Sequence, residues 1–407
     1  MTETRRIIII GASLAGAKAA ETLRAEGFEG EVVLIGEEPV RPYERPPLSK
    51  DYLQGKIEME KVFVHEENFY ADHDIDMRLS SSVKTLDAKS KEIVLASGEH
   101  LVYDALLIAT GSAPRRITVP GADLNGVFYL RTLADSDRLR TAITKANRVI
   151  VIGAGWIGCE VAASARQLGA EVAMIEVGDL PLESVLGPEL GRFYRDVHAE
   201  HGVELHFGVG VESIRGGDTA EEVRLADGTS VKGDVIVVGI GVTPRIELAE
   251  SAGLTQDNGI VTDQYLATSS HGVYAAGDVA SAWHPIFDRR IRLEHWSSAL
   301  NQGPVVAKNM LGTPTPYERI PYFFSDQYDI GMEYAGFAMN WDEVVFRGDP
   351  NSREFIAFWM KDGRLVAGMN VNVWDVSKTI AAIVAAKRPV DRAALIDPAI
   401  DLASLLE

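Results

Sequence analysis

The sequence predicts an α/β fold, with two doubly wound parallel-sheet domains followed by an α+β domain. Two observations carry that expectation. An apolar strand that runs into a glycine turn and then an alanine-rich helix occurs twice, at residues 6–26 and 148–168. Such strand–turn–helix units, repeated along a chain, build parallel sheets with helices on both faces. Beyond residue 319 the pattern changes to aromatic strands (355–360) and one closing helix (376–387), which reads as a third, α+β domain. A chain of 407 residues is also too long for one ordinary core.

With 46% apolar and 24% charged residues the chain is globular in composition rather than disordered or fibrous. Its apolar runs, such as 7–10 and 149–152, have the length of strands and fall far short of a membrane span. Residues 1–6 lead straight into the first run, without the longer apolar region of a secretory leader, so a cytoplasmic protein is expected. The formal charge of -19 argues against nucleic acid as a partner. Arg289, Arg290 and Arg292 form either a basic patch for an acidic protein or a solvated cluster. Cys159 is the only cysteine, which excludes an internal disulfide.

The first unit reads Gly11-Ala12-Ser13-Leu14-Ala15-Gly16 after its strand, the context that a dinucleotide turn requires. Gly11 permits the sharp turn, Gly16 lets helix and strand pack closely, and the helix N-terminus faces a pyrophosphate. Ser13 replaces the middle glycine and puts a Cβ where the backbone comes closest to phosphate. The next strand, 32–35, ends at Gly36-Glu37, where a carboxylate accepts from ribose hydroxyls. The second unit, Gly153-Ala154-Gly155-Trp156-Ile157-Gly158, has all three glycines, and its following strand ends at Glu176. Glutamate there favours NADH, because it would repel the 2′-phosphate of NADPH.

Two further strands end in small residues, at Ala109-Thr110-Gly111 and Gly239-Ile240-Gly241, and a third ends at Gly277-Asp278. Their order places the second dinucleotide domain inside the first. The expected domains are residues 1–113 with 245–318, an inserted domain at 114–244, and a C-terminal domain at 319–407.

At this point the chain resembles, over essentially its full length, the FAD-dependent pyridine-nucleotide reductases with two Rossmann-like domains in the glutathione-reductase arrangement. More narrowly it is similar to the ferredoxin reductases that serve Rieske dioxygenases and cytochromes P450. The resemblance is carried by Arg45-Pro46-Pro47-Leu48-Ser49-Lys50, Ala109-Thr110-Gly111, Leu130-Arg131-Thr132, Ala275-Ala276-Gly277-Asp278 and Ser325-Asp326-Gln327-Tyr328-Asp329. It implies that FAD lies on the Gly11–Gly16 turn (Ser13, Leu14 and Ala15 included), with Glu37 on its adenosine ribose and Asp278 on its ribityl chain or pyrophosphate. Val83, Arg131 and Trp296 would also contact FAD, and Lys50 would sit beside the flavin, paired with Glu160. NADH would lie on the Gly153–Gly158 turn with Trp156, Ile157, Glu176 and Gly241. Phe324 stands where many of these reductases carry tryptophan.

As the resemblance implies, disulfide reductases of this fold carry a cysteine pair after the first unit, and peroxidases and coenzyme A disulfide reductases carry one cysteine there. This chain has Pro46-Pro47-Leu48-Ser49-Lys50 instead, and Cys159 reads as a small buried residue of the second helix. Electrons therefore leave the flavin for an external acceptor, expected to be a [2Fe–2S] ferredoxin met transiently by a monomer or homodimer. Monodehydroascorbate reductase and rubredoxin reductase are the nearest alternatives. An NADH-sensing protein like apoptosis-inducing factor is an alternative of another class. His198 and His201 lie three apart on a helix, with no third ligand evident, and are expected on a solvated face rather than at a metal.

Overall fold

The computed structural model describes residues 5–406. Residues 1–4, which open the stretch read for a leader, and residue 407, the last of the expected C-terminal domain, lie outside the described residues. The chain divides by its contacts into two compact units. One comprises Met1–Glu44, Glu60–Ala113 and Thr243–Arg319; the other comprises Arg45–Met59, Pro114–Val242 and Ile320–Glu407.

In the first unit, Arg6–Ile10 is the central strand of a five-stranded sheet ordered Val273–Ala275, Ala105–Ile108, Arg6–Ile10, Glu31–Ile35 and Ile75–Arg78. All four pairings are parallel. Ile7, Ile8 and Ile9 are wholly buried although they point alternately to the two faces. That is why an unbroken apolar run, and not an alternating one, forms this strand. The helix Leu14–Ala25 buries Ala17, Ala19 and Ala20 without residual exposure. Small residues there admit the helix Trp296–Met310: a Cβ added at Gly303 would lie 2.7 Å from the Ala15 carbonyl oxygen.

The second unit repeats the plan. Its parallel sheet is ordered Val203–Phe207, Glu171–Glu176, Arg148–Ile152, Val235–Val238 and Val127–Phe128. In both sheets the first strand of the motif is central, flanked on one side by the strand that follows its helix and on the other by a later strand. The carboxyl end of that central strand is the topological switch point, where open α/β sheets bind their ligands.

The same unit holds an antiparallel five-stranded sheet made from Tyr322–Gln327, Ile330–Gly336, Arg364–Val371, Glu354–Lys361 and Glu343–Asp349. The aromatic run expected as a strand lies within Glu354–Lys361, and the closing helix spans Ser377–Ala386. Trp359 is fully buried, and its indole N–H donates to the Leu186 carbonyl at 3.1 Å, so the largest apolar side chain of this sheet carries no unsatisfied donor. Among the described residues no helix is long and apolar enough to cross a membrane.

The third glycine of the second turn is a packing requirement. A Cβ at Gly158 would fall 1.9 Å from the Gly153 carbonyl oxygen, a clash that only backbone movement relieves. Gly158→Ala is therefore expected to lose about 1–3 kcal/mol of stability, read as a lower midpoint in urea unfolding.

Candidate functional site

The two glycine turns are built by the same hydrogen bonds. The Gly11 N–H donates to the Ile35 carbonyl at 2.8 Å, and the Gly153 N–H donates to the Ile175 carbonyl at 2.8 Å. On the other flank, Ala109 N–H donates to the Ile10 carbonyl at 2.7 Å and Gly239 N–H to the Ile152 carbonyl at 2.8 Å. Gly11 and Gly153 have φ of 120° and 100°, and a Cβ on either would strike the neighbouring strand's backbone at Ala109 or Gly239. Ala109 thus walls one side of the first turn. Gly277, which opens the turn holding Asp278, has φ 77° and donates its N–H to Gln302 Oε1 at 2.7 Å.

Gly155 is different. Its φ of -76° suits any residue, and a Cβ added there meets nothing within 4 Å. Neither strain nor packing within the protein requires a glycine at this position, so the space it leaves is available to a ligand. Neither Ser13 nor Gly155 caps its helix with a side-chain hydrogen bond, which leaves backbone N–H groups at both N-termini for an anion. Glu176 is held at the end of its strand, accepting from Ala154 N–H at 2.7 Å and Gly178 N–H at 3.1 Å. These features fit a dinucleotide pyrophosphate on each turn. Ser13 has the same extended backbone, φ -122° and ψ -165°, so the serine strains nothing.

Lys50 belongs to the second unit, at the end of the short 3₁₀ helix Pro46–Ser49. Hydroxyl groups clamp this loop: Ser136 donates to the Leu48 carbonyl at 2.8 Å, and Ser164 to the Ser49 carbonyl at 2.7 Å. The Lys50 ammonium then meets Glu160 Oε1 at 3.2 Å, with Lys50 8% and Glu160 4% exposed. Ser49 donates to Glu160 Oε2 at 2.5 Å and Ser325 to Oε1 at 2.7 Å. Phe324 keeps the aromatic character of its position, with the Lys50 ammonium 5.3 Å from its ring centre. Asp326 stands in the same field: partial burial raises its carboxyl pKa, Lys50 lowers it, and Glu160 raises it.

The model of the pyridine nucleotide-disulphide oxidoreductase family matches residues 5–303, and the reductase C-terminal model matches residues 322–406. The chain belongs to the pyridine nucleotide-disulphide oxidoreductase family. It is 40% identical to the ferredoxin reductase subunit of 5,5′-dehydrodivanillate O-demethylase from Sphingobium sp., over 88% of each chain. With the putidaredoxin reductase of Pseudomonas putida it shares 35% identity, over 91% of this chain and 90% of that one. Among solved structures it matches the covalent putidaredoxin reductase–putidaredoxin complex with a TM-score of 0.96 at 33% identity, covering 99% of this chain and 98% of that one. The expected family, its mixed α/β fold and its oxidoreductase class are thereby established.

Other expected family residues fall into place unevenly. Glu37 is exposed and pairs with Arg245 at 2.6 Å, and Thr110 donates to the Arg245 carbonyl at 2.9 Å beside Gly111, whose φ is 68°. Trp296 opens the helix Trp296–Met310 beside Glu44, whose carboxyl pKa is raised by burial and lowered by the indole. Val83 is half-buried on the strand Val83–Asp87. Arg131, expected with the FAD set, lies in the second unit, where its carbonyl accepts from Arg45. In the second turn Ile157 is exposed, Trp156 packs edge-on against Phe323 at 5.0 Å, and Gly241 has φ 97°. Cys159 is fully buried, and burial pushes its thiol pKa far up, which leaves it inert.

Two expectations need correction or resolution. His198 is not on a solvated face: it is fully buried, because the Tyr322–Gln327 strand covers that side of its helix. His201 stacks on Tyr328 at 3.7 Å, and no cluster of three or more metal-ligating side chains exists among the described residues. Nor do the three arginines act as one patch. Arg292 is turned in, donating to the Asp278 carbonyl and pairing with Glu294 at 2.5 Å, whereas Arg289 and Arg290 are exposed. Sequence reasoning passed over Gln302, Ser49 and Ser136 as site-builders; only their partners reveal them.

Gly155→Ala is expected to leave stability within about 0.5 kcal/mol of wild type yet to weaken NADH binding, checked by urea unfolding beside fluorescence titration. Glu160→Leu strands a buried ammonium and should cost about 3–5 kcal/mol in the same unfolding assay.

Proposed function

We propose that this chain is an NADH-dependent, FAD-containing ferredoxin reductase, delivering electrons to a [2Fe–2S] ferredoxin that feeds an oxygenase or a cytochrome P450. The observation that carries it is the buried Lys50–Glu160 pair in the loop where thiol-using relatives would place cysteine, with the one cysteine inert elsewhere. The named relatives, ferredoxin reductases matched over most of their length, support the same reading. In it, residues 1–113 and 245–318 bind FAD, 114–244 bind NADH, and 319–407 form the C-terminal domain of a cytoplasmic monomer or homodimer.

When bound, FAD supplies the conversion of a two-electron hydride donor into a one-electron source. The protein's residues do the rest. The Gly11 and Gly153 turns present backbone N–H groups to the two pyrophosphates, and Glu176 favours the 2′-hydroxyl of NADH over a 2′-phosphate. Asp278 and Glu37 orient the FAD chain and ribose, with Val83, Arg131 and Trp296 as further contacts. Lys50 contributes a fixed positive charge to stabilise a reduced flavin, and Glu160 holds that charge in place without solvent.

The test is NADH-driven cytochrome c reduction by the purified flavoprotein, with and without a [2Fe–2S] ferredoxin, beside monodehydroascorbate as rival acceptor. Strong dependence on ferredoxin is expected. Indifference to ferredoxin combined with rapid monodehydroascorbate reduction would overturn the assignment in favour of that second activity.

A further inference from the structure

The family motif Ser325-Asp326-Gln327-Tyr328 has no role in the scheme above beyond its ferredoxin-reductase resemblance, yet its side chains are bonded in series. Glu160 Oε1 lies 2.7 Å from Ser325 Oγ; Ser325 Oγ lies 3.3 Å from Gln327 Nε2. Gln327 Oε1 lies 3.1 Å from His198 Nε2, and His198 Nδ1 lies 3.2 Å from the Tyr328 hydroxyl. Ser325, Gln327 and His198 are 1%, 2% and 0% exposed, so none of these groups has bulk water as a substitute partner.

The direction of every bond follows from the carboxylate. An ionised Glu160 only accepts, so the single hydroxyl proton of Ser325 is committed to it. Ser325 Oγ can then only accept from Gln327, which sets the amide with its NH₂ toward the serine and its oxygen toward His198. The imidazole must therefore carry its proton on Nε2, leaving Nδ1 to accept from Tyr328. Burial lowers the His198 pKa to about 4 and raises that of Tyr328, so the ring is neutral and the phenol protonated, as this order needs.

We propose that Tyr328, His198, Gln327 and Ser325 form a one-way hydrogen-bond chain, from phenol to carboxylate, whose task is to hold the Glu160 side chain oriented against Lys50. They are positioning residues; none is argued to touch a substrate. Bonds aligned head to tail polarise one another and strengthen the last of them. The backbone supports this task. Tyr328 stands at the first loop position between Tyr322–Gln327 and Ile330–Gly336 with φ 57°, a conformation that favours glycine. A tyrosine is kept there by its side chain, whose hydroxyl meets His198 and whose ring lies flat on His201.

The charged and titratable groups around the chain are few. Lys50, Asp326, Cys159 and Tyr194 face Glu160, Asp51 acts on Asp326, His201 faces His198, and Cys159 and Arg166 act on Tyr328. The inference rests on the flavin role proposed for Lys50 and Glu160, and its test has one arm independent of that role. In ¹⁵N-histidine-labelled wild-type protein, His198 (assigned with His198→Gln) should be neutral with its proton on Nε2 between about pH 6 and 8. A proton on Nδ1, or an imidazolium, overturns the chain.

In the second arm, Gln327→Leu and Ser325→Ala are compared with wild type in stopped-flow reduction of the flavin by NADH across pH. Ser325→Ala removes a donor to the carboxylate and Gln327→Leu breaks the chain behind that donor; each should slow reduction, Ser325→Ala by about tenfold, and leave KM for NADH unchanged. Variants with the wild-type melting temperature and the wild-type rate of flavin reduction overturn the proposal. Failure of NADH to reduce the wild-type flavin overturns the reductase reading instead, and the tautomer then decides the chain by itself.

Discussion

Two unlike charges, Lys50 and Glu160, meet at 3.2 Å with both residues less than a tenth exposed, and the arrangement of the second unit around them follows from that constraint. Removing an ammonium and a carboxylate from water costs several kcal/mol per ion, and their mutual attraction offsets this only if the remaining hydrogen-bonding capacity is filled. Here it is filled from two directions. Ser49 reaches one carboxylate oxygen from the lysine's own loop, and Ser325 reaches the other from the C-terminal sheet. The loop itself is pinned by hydroxyls on two helices, Leu133–Ile143 and Trp156–Gln167. A pair held from three sides keeps its charge in one place, which is the property that electrostatic control of a redox group requires.

The glycine turns show a second constraint, and they separate two reasons for glycine that look alike in a sequence. At Gly11, Gly16, Gly153 and Gly158 a Cβ would collide with backbone at about 2 Å, so these four are demanded by the fold itself. Gly155 collides with nothing, and its backbone is ordinary. Ser13, its counterpart in the first turn, confirms that a side chain at this place is structurally harmless. The fold itself therefore gives no reason for the absence of a Cβ at Gly155.

Much of this was legible in advance because strand and helix periodicity, and the residues that end them, are local properties. The strands 6–10 and 148–152, the C-terminal ends of their helices, the aromatic strand near 355–360 and the closing helix lie where the sequence pattern puts them, within a residue or so. Glu160 was legible only through family resemblance, since a glutamate one turn into a helix looks like a surface residue. His198 was misread for a related reason. A polar side chain on one helix reports its own face, not whether another strand covers that face, and here Gln327 and Tyr328 do.

The sequence by itself determined the two parallel α/β units, the positions of the turns and the lack of any thiol at the lysine loop, because each depends on residues close together in the chain. Tertiary structure alone decided which polar side chains share a buried network. Ser49, Glu160, His198 and Ser325 are distant in sequence and ordinary in isolation, and hydrogen-bonding capacity in a dry interior becomes chemistry only when the donors and acceptors that fill it are brought within reach.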